Sequence, residues 1–151
     1  MERVLLLEAV ALLGIARLTT LILPFKWIAG SLGRHMIETD AQMSVRESQS
    51  ARLVGQAVVS ASRYTPWESV CLAQAVAGQW MLKRRGIAGT LYLGVAKDET
   101  RPKKLTAHAW LRCGSMIVIG RESHRQFTVV AAFGSPLTSG TSAGEAAPLE
   151  R

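Results

Sequence analysis

The chain has 151 residues and a mass of 16.4 kDa, the size of one ordinary domain that can bury a core without disulfides or metal. Hydrophobic residues make up 48% and charged residues 19%, a balance that excludes a largely disordered chain. The formal net charge of +7 suits a nucleic acid, an acidic peptide or protein, or a membrane surface as partner. Two cysteines are too few for a disulfide scaffold, and they indicate a reducing, cytoplasmic compartment.

The N-terminal segment Val4–Ile28 is rich in Leu, Ile, Val and Ala and approaches the length of a membrane span. Glu8 and Arg17 interrupt it, Pro24 closes it, and no signal-peptide cleavage site follows the apolar run. A helix packed inside the protein fits this pattern better than a membrane helix. Because Leu5–Leu13 carries almost no polar side chain except Glu8, the helix must be covered by the rest of the chain or by a partner.

Helical periodicity dominates the first half of the chain. Apolar spacing predicts helices at Glu2–Leu23, Pro24–Arg34, Ala41–Ser62 and Cys71–Arg85. Pro66 disfavours helix at the residue before it, so a loop is predicted ahead of the fourth helix. Gly86 ends that helix.

Beyond Gly86 the pattern changes to short strands. The predicted strands are Thr90–Val95, Ala107–Arg112, Met116–Gly120 and Gln126–Ala131, with a hairpin turn at Cys113–Ser115 and an exposed loop at Asp98–Lys104. Helices followed by strands predict an α+β fold, in which one central helix packs on a small antiparallel sheet. We divide the chain into an N-terminal helical part (1–62), a core (63–134) and a flexible C-terminal tail (135–151).

Cys71 follows the predicted loop and begins the fourth helix. A thiolate at a helix N-terminus is stabilised by unpaired backbone N–H groups and the helix dipole. Taken alone, Cys71 is better explained as a small buried apolar residue, which is what most single cysteines are. His108, on a later predicted strand, supplies the base that a thiol hydrolase requires, because imidazole accepts the thiol proton and returns it to the leaving amine.

Four motifs carry a resemblance to a known family. They are Pro66–Ala75, Leu82–Ile87, Leu93–Val95 and Ala107–Leu111, within the region from about Thr65 to Phe133. This region resembles the leader peptidases of lasso-peptide biosynthesis, the B2 proteins, which are transglutaminase-like cysteine proteases with a papain/transglutaminase-like core. The resemblance implies that the chain cleaves a ribosomally made precursor peptide between leader and core. A separate leader-binding protein would deliver the leader and a lasso cyclase would act next, with Cys71 as nucleophile and His108 as base.

The third member of the catalytic triad is left open by the sequence. The family places an acid on the strand after the histidine, but Met116–Gly120 contains none. Glu122, just past that strand, is one candidate for orienting His108, and a backbone carbonyl, a side-chain amide or a water is the other. The backbone N–H of Cys71 is the expected oxyanion donor. Trp67 and Trp110 are the candidate substrate-binding residues, with packing a competing role for Trp67.

The remaining thiol and histidines are not assigned to catalysis. Cys113 is expected to be an ordinary thiol, and His35 and His124 are expected at the surface. No metal-ligand pair and no phosphate-binding loop occurs in the sequence, so no metal or cofactor is expected. The basic residues are dispersed, so a nucleic acid is not an expected partner. A membrane is not expected either, because charged residues interrupt the N-terminal apolar segment.

Two other functions fit the same residues. A non-catalytic binding module of transglutaminase-like fold would carry an incidental thiol, which would react slowly with iodoacetamide. A transglutaminase or amidase would use the same Cys71 and His108, since acyl transfer and hydrolysis differ only in the nucleophile that resolves the acyl-enzyme.

Overall fold

The computed structural model describes residues 2–40, 42–65, 71–101, 103–122 and 124–135. Within these residues, helices come first and most of the sheet follows. The elements are α1 (Glu2–Ile22), α2 (Phe25–Leu32), β1 (Arg34–His35), α3 (Val45–Ser62), α4 (Cys71–Arg84), β2 (Gly89–Lys97), β3 (Leu105–Cys113), β4 (Met116–Ile119), a short 3₁₀ helix (His124–Gln126) and β5 (Thr128–Ser135). The predicted α+β class is confirmed, and each of the four predicted helices and four predicted strands overlaps an observed element. The last strand is displaced: it was predicted at Gln126–Ala131, but Gln126 ends the 3₁₀ helix and β5 extends to Ser135.

The end of α2 departs from the sequence prediction. The helix was expected to reach Arg34 but ends at Leu32, because Gly33 adopts a φ of +135° that turns the chain out of the helix. The next two residues form β1, which pairs antiparallel with the end of β5. A side chain on Gly33 would collide with the backbone of Gly134, so the close approach of these two segments requires glycine.

The start of α3 also differs, since the helix begins at Val45 rather than at Ala41. Ser44 is the N-cap: its hydroxyl accepts a hydrogen bond from the backbone N–H of Glu47 at 3.2 Å, and its own N–H donates to the Glu47 carboxylate at 2.8 Å. This reciprocal pair is a capping box, which satisfies two otherwise unpaired donors. The Ser-x-x-Glu spacing was present in the sequence and marks the true helix start.

The strands form one antiparallel sheet in the order β1-β5-β2-β3-β4. Helices α1, α3 and α4 pack in one core with the sheet face that carries Leu91, Ala109 and Leu111. Because side chains alternate across a strand, the opposite face of β3 carries His108 and Trp110. The predicted hairpin turn after Cys113 is confirmed, and β5 continues to Ser135, the first residue of the predicted tail; residues 136–151 lie outside the described residues.

Gln79 joins the central helix to three other segments. Its side chain is fully buried, and its Nε2 donates towards the carbonyl oxygens of Leu32 at 2.8 Å, Gly89 at 3.0 Å and Phe133 at 3.3 Å. These carbonyls belong to the end of α2, the start of β2 and β5. Buried carbonyls that lack a donor destabilise a fold, so this one amide fixes α4 against the sheet.

The expectation that α1 is covered is confirmed for one side only. Ala9, Leu13 and Ala16 are fully buried, whereas Leu7 and Leu18, on the other side, are 70% and 57% exposed. By length and composition α1 is apolar enough to cross a membrane. Its buried side belongs to the core, however. One side of α1 therefore packs inside the protein, and the other side forms an exposed apolar surface.

Candidate active site

His108 lies on β3, opposite Gly94 of β2, and its ring is fixed by aromatic neighbours. The imidazole stacks on Trp110 with centroids 5.8 Å apart and lies 5.0 Å from the ring of Phe127. A side chain at Gly94 would come within 2.7 Å of the Trp110 ring, so this glycine makes room for the indole. His108 is half-buried and lines a cleft.

One ring nitrogen of His108 is hydrogen-bonded to a backbone carbonyl group. Its Nε2 lies 3.2 Å from the carbonyl oxygen of Gly120. Because a carbonyl oxygen can only accept, this hydrogen bond requires the proton of the neutral imidazole on Nε2. The lone pair is then on Nδ1, which is the nitrogen available to accept a proton.

The position of the Gly120 carbonyl depends on the conformation of that residue. Gly120 follows the last residue of β4 and has a φ of +79°, in the region that favours glycine. An added Cβ would lie 2.8 Å from the Cβ of Trp110 and 2.9 Å from the carbonyl oxygen of Ala109. Glycine therefore allows the chain to leave β4 here with its carbonyl directed at His108.

Glu122 lies two residues beyond this contact and is exposed. Among the described residues it has no hydrogen bond to His108, whose Nε2 is bonded to Gly120 instead. Of the two alternatives that the sequence left open, the structure provides a backbone carbonyl next to the imidazole. Catalytic participation of Glu122 stays a prediction.

Cys71 is the first residue of α4 and is half-buried against the main core. Gln74, three residues later on the same side of the helix, lines the cleft onto which His108 opens. The first turn of α4 thus reaches the histidine's cleft through Gln74, whereas Cys71 is not among the residues that line the cleft. Trp67 and the other residues of the preceding loop, 66–70, lie outside the described residues.

The cleft has a volume of about 920 Å³ and runs along the exposed edge of β4. It contains His108, Glu122 and His124, so His124 belongs to the cleft rather than to a remote surface. Sequence reasoning also missed Gln74, although its Cys-x-x-Gln spacing placed it on the side of the helix that carries Cys71. The arginines that line the cleft come from α3, from its C-terminal end and from the β4–β5 connection: Arg52, Arg63, Arg121 and Arg125.

Trp110 is 4% exposed and stacks on Tyr92 with centroids 5.5 Å apart. Its other neighbour in the stack is His108, so the indole supports the imidazole from inside the protein. A direct contact with substrate, predicted from the sequence, stays a prediction. The structure shows Trp110 stacked against the His108 ring, a contact that restricts the plane of the imidazole.

Cys113 is buried at the end of β3, and its Sγ donates to the carbonyl oxygen of Ala88 at 3.0 Å. Burial raises the pKa of this thiol to about 12, so it is protonated at neutral pH. A protonated, buried thiol is a poor nucleophile. His35 is exposed and contacts the Phe133 ring near β1, away from the cleft.

Within the described ranges, no three His, Cys, Asp or Glu side chains come close enough together to hold a metal ion. The architecture is an α+β domain in which a cysteine begins the central helix and a histidine lies on a strand of the antiparallel sheet. Cysteine hydrolases and acyltransferases are commonly built on this arrangement.

The Transglutaminase-like superfamily domain matches residues 19–132. The chain therefore belongs to the transglutaminase-like superfamily. No curated protein and no solved structure matches the chain.

Proposed function

We propose that the protein is a cytoplasmic cysteine endopeptidase that removes the leader from a lasso-peptide precursor. The observation that carries the proposal is the hydrogen bond between His108 Nε2 and the Gly120 carbonyl, because it frees Nδ1 to act as a base in a cleft that Gln74, from the first turn of the helix that Cys71 begins, also lines. Membership of the superfamily supports a thiol acyl-transfer reaction. The resemblance of the four sequence motifs to leader peptidases supports the choice of substrate.

In the first half of the reaction, His108 Nδ1 accepts the proton of the Cys71 thiol, and the thiolate attacks the carbonyl carbon of the scissile bond. The backbone N–H of Cys71 at the start of α4 donates to the oxyanion that forms. The Gly120 carbonyl accepts from Nε2–H throughout, which stabilises the imidazolium. His108 then donates its proton to the leaving amine, and the acyl group remains on Cys71 as a thioester.

In the second half, water replaces the departed peptide. His108 accepts a proton from the water, whose oxygen attacks the thioester, and the thiolate of Cys71 leaves and is reprotonated. The product is the free carboxylate of the leader. A separate leader-binding protein would raise the local concentration of the scissile bond, and the cyclase would use the released core peptide.

Cleavage of a full-length precursor, followed by mass spectrometry, tests this proposal. Cys71→Ala and His108→Ala should each abolish cleavage with unchanged circular dichroism, whereas Cys113→Ser, the matched thiol control, should remain active. Full activity in Cys71→Ala or His108→Ala would overturn the proposal. Transfer of the acyl group to an added amine in preference to water would assign the chain to the transglutaminases instead.

A further inference from the structure

The outer side of α1 carries only apolar side chains. Residues on one side of a helix recur every three or four positions. Six residues follow this spacing on the exposed side of α1, and we call them the α1 stripe: Val4, Leu7, Ala11, Ile15, Leu18 and Ile22. They cover roughly 27 Å of helix at about 1.5 Å per residue.

This arrangement differs from the usual pattern of a surface helix, because both the buried side and the exposed side of α1 are apolar. A helix that packs on a core normally presents polar side chains to water on the opposite side. Here Ala9, Leu13 and Ala16 are buried, while the five larger residues of the α1 stripe are between 49% and 70% exposed. A continuous apolar surface of this kind indicates an interaction site, because water is a poor environment for it.

Exposed apolar side chains continue along the chain past the end of α1 into α2. Trp27 is 72% exposed, and Phe25 is exposed beside it in sequence. Lys26 lies between these aromatic residues and is also exposed. Tryptophan and lysine together are typical of the boundary between lipid chains and lipid headgroups.

Cationic side chains flank the α1 stripe. Glu8 lies at one edge, and its carboxylate is bound by Arg84 at 3.4 Å and by Arg85 at 2.5 Å. Helical spacing places Arg3 at the other edge, near the start of α1. The only carboxylate at the edges inside α1, that of Glu8, is thus neutralised by two arginines, so positive charge dominates both sides.

We propose that the α1 stripe and Trp27 lie on the surface of an anionic lipid bilayer, with α1 parallel to the membrane plane. The aliphatic side chains would enter the acyl region while the flanking arginines contact lipid phosphates. The helix lies on the membrane rather than across it, because a span would remove Ala9, Leu13 and Ala16 from the core. Of the two charges that interrupt a membrane span in the sequence, Glu8 lies at the edge of this surface.

Two features favour lipid over a protein as the occupant. The stripe is a ridge on a single helix without a polar atom in its side chains, and a bilayer requires no directional hydrogen bonds. A second copy of this chain would bring the same net charge of +7 and the same arginine borders together. An anionic bilayer instead complements that charge.

The test is co-sedimentation of the full chain with vesicles of phosphatidylcholine alone or of phosphatidylcholine with phosphatidylglycerol. The wild type should bind the anionic vesicles more tightly, and added salt should weaken this binding. A double substitution, Leu7→Gln with Leu18→Gln, should weaken it at least about tenfold, since two exposed leucines lose their burial in lipid. Both sites are exposed, so circular dichroism and urea denaturation should be unchanged.

The matched control is Val45→Gln with Leu105→Gln, which changes two aliphatic residues that are 73% and 68% exposed elsewhere on the surface. This control should bind vesicles like the wild type. Absence of binding to the anionic vesicles, or equal binding by the two double variants, would overturn the proposal. A dimer in light scattering that only the Leu7 and Leu18 substitutions dissociate, without vesicle binding, would assign the α1 stripe to a second copy.

Discussion

The Nε2 of His108, on β3, lies 3.2 Å from the carbonyl oxygen of Gly120, the residue that directly follows the end of β4. An acidic residue that orients a catalytic imidazole fixes its tautomer and stabilises its protonated form. A carbonyl oxygen provides the same two effects, although without a full negative charge. The absence of an acid in Met116–Gly120 is therefore compatible with a working histidine base.

The first prediction concerns the tautomer of His108. In the Cys71→Ala variant, ¹⁵N chemical shifts of the neutral ring should show a protonated Nε2 and an unprotonated Nδ1, because the Gly120 carbonyl accepts only from Nε2–H. A ring with the proton on Nδ1 would contradict the proposed direction of proton transfer. This measurement does not depend on catalytic activity.

Substitution of Glu122 provides the companion experiment. Removing the acid of a Ser-His-Asp triad lowers kcat by about 10⁴-fold. If the carbonyl of Gly120 orients His108, Glu122→Gln should retain turnover within a few-fold of the wild type. A loss of a hundredfold or more, with KM unchanged, would instead assign the orienting role to Glu122.

Gly120→Ala should lower both stability and kcat. Its φ of +79° is unfavourable for alanine, and the new Cβ would meet Trp110, so we expect a loss of about 1–3 kcal/mol in the free energy of unfolding. Gly30→Ala is the control, because Gly30 lies in α2 with open space around it. Alanine there should be neutral or stabilising by up to about 1 kcal/mol. Equal effects of the two substitutions on urea unfolding would show that the conformation of Gly120 is not required.

The two thiols should differ in reactivity. Iodoacetamide at neutral pH should modify Cys71 in the folded protein, whereas Cys113, whose pKa is raised to about 12 by burial, should react only after unfolding. Cys113→Ser should keep most of the activity, because a serine hydroxyl can donate to Ala88 as the thiol does. Peptide mapping after timed alkylation measures both rates, and faster modification of Cys113 would show that the nucleophile is misassigned.

Sequence patterns located the helices and strands because their causes are local. For example, the apolar spacing of α4 and the glycine that follows its end, Gly86, are both visible in the amino-acid sequence. The orienting contact of His108 is not local, since it depends on β4 ending at Ile119 and on the backbone angle of Gly120. Similarly, periodicity showed that α1 is apolar on most sides, but only the packing of α3 and α4 decides which side is covered.

The last prediction concerns acid stability. Hydrogen bonding to Arg85, and the charges of Arg85 and Arg84, hold the pKa of Glu8 below its ordinary value despite a partial desolvation that opposes them. A carboxyl group whose pKa is lower in the folded than in the unfolded protein stabilises the fold at pH values above its unfolded pKa. This stability is lost as the pH falls through the folded pKa.

Glu8→Gln should therefore lower the free energy of unfolding by about 0.5–1 kcal/mol at pH 7. The difference from wild type should shrink as the pH falls below about 4. Glu99→Gln, which changes an exposed carboxylate in the connection between β2 and β3, is the control and should leave the free energy of unfolding close to that of the wild type. Urea denaturation of the three proteins from pH 3 to pH 7 makes the comparison, and a deficit in Glu8→Gln that persists unchanged at pH 3 would mean that its cause is packing rather than charge.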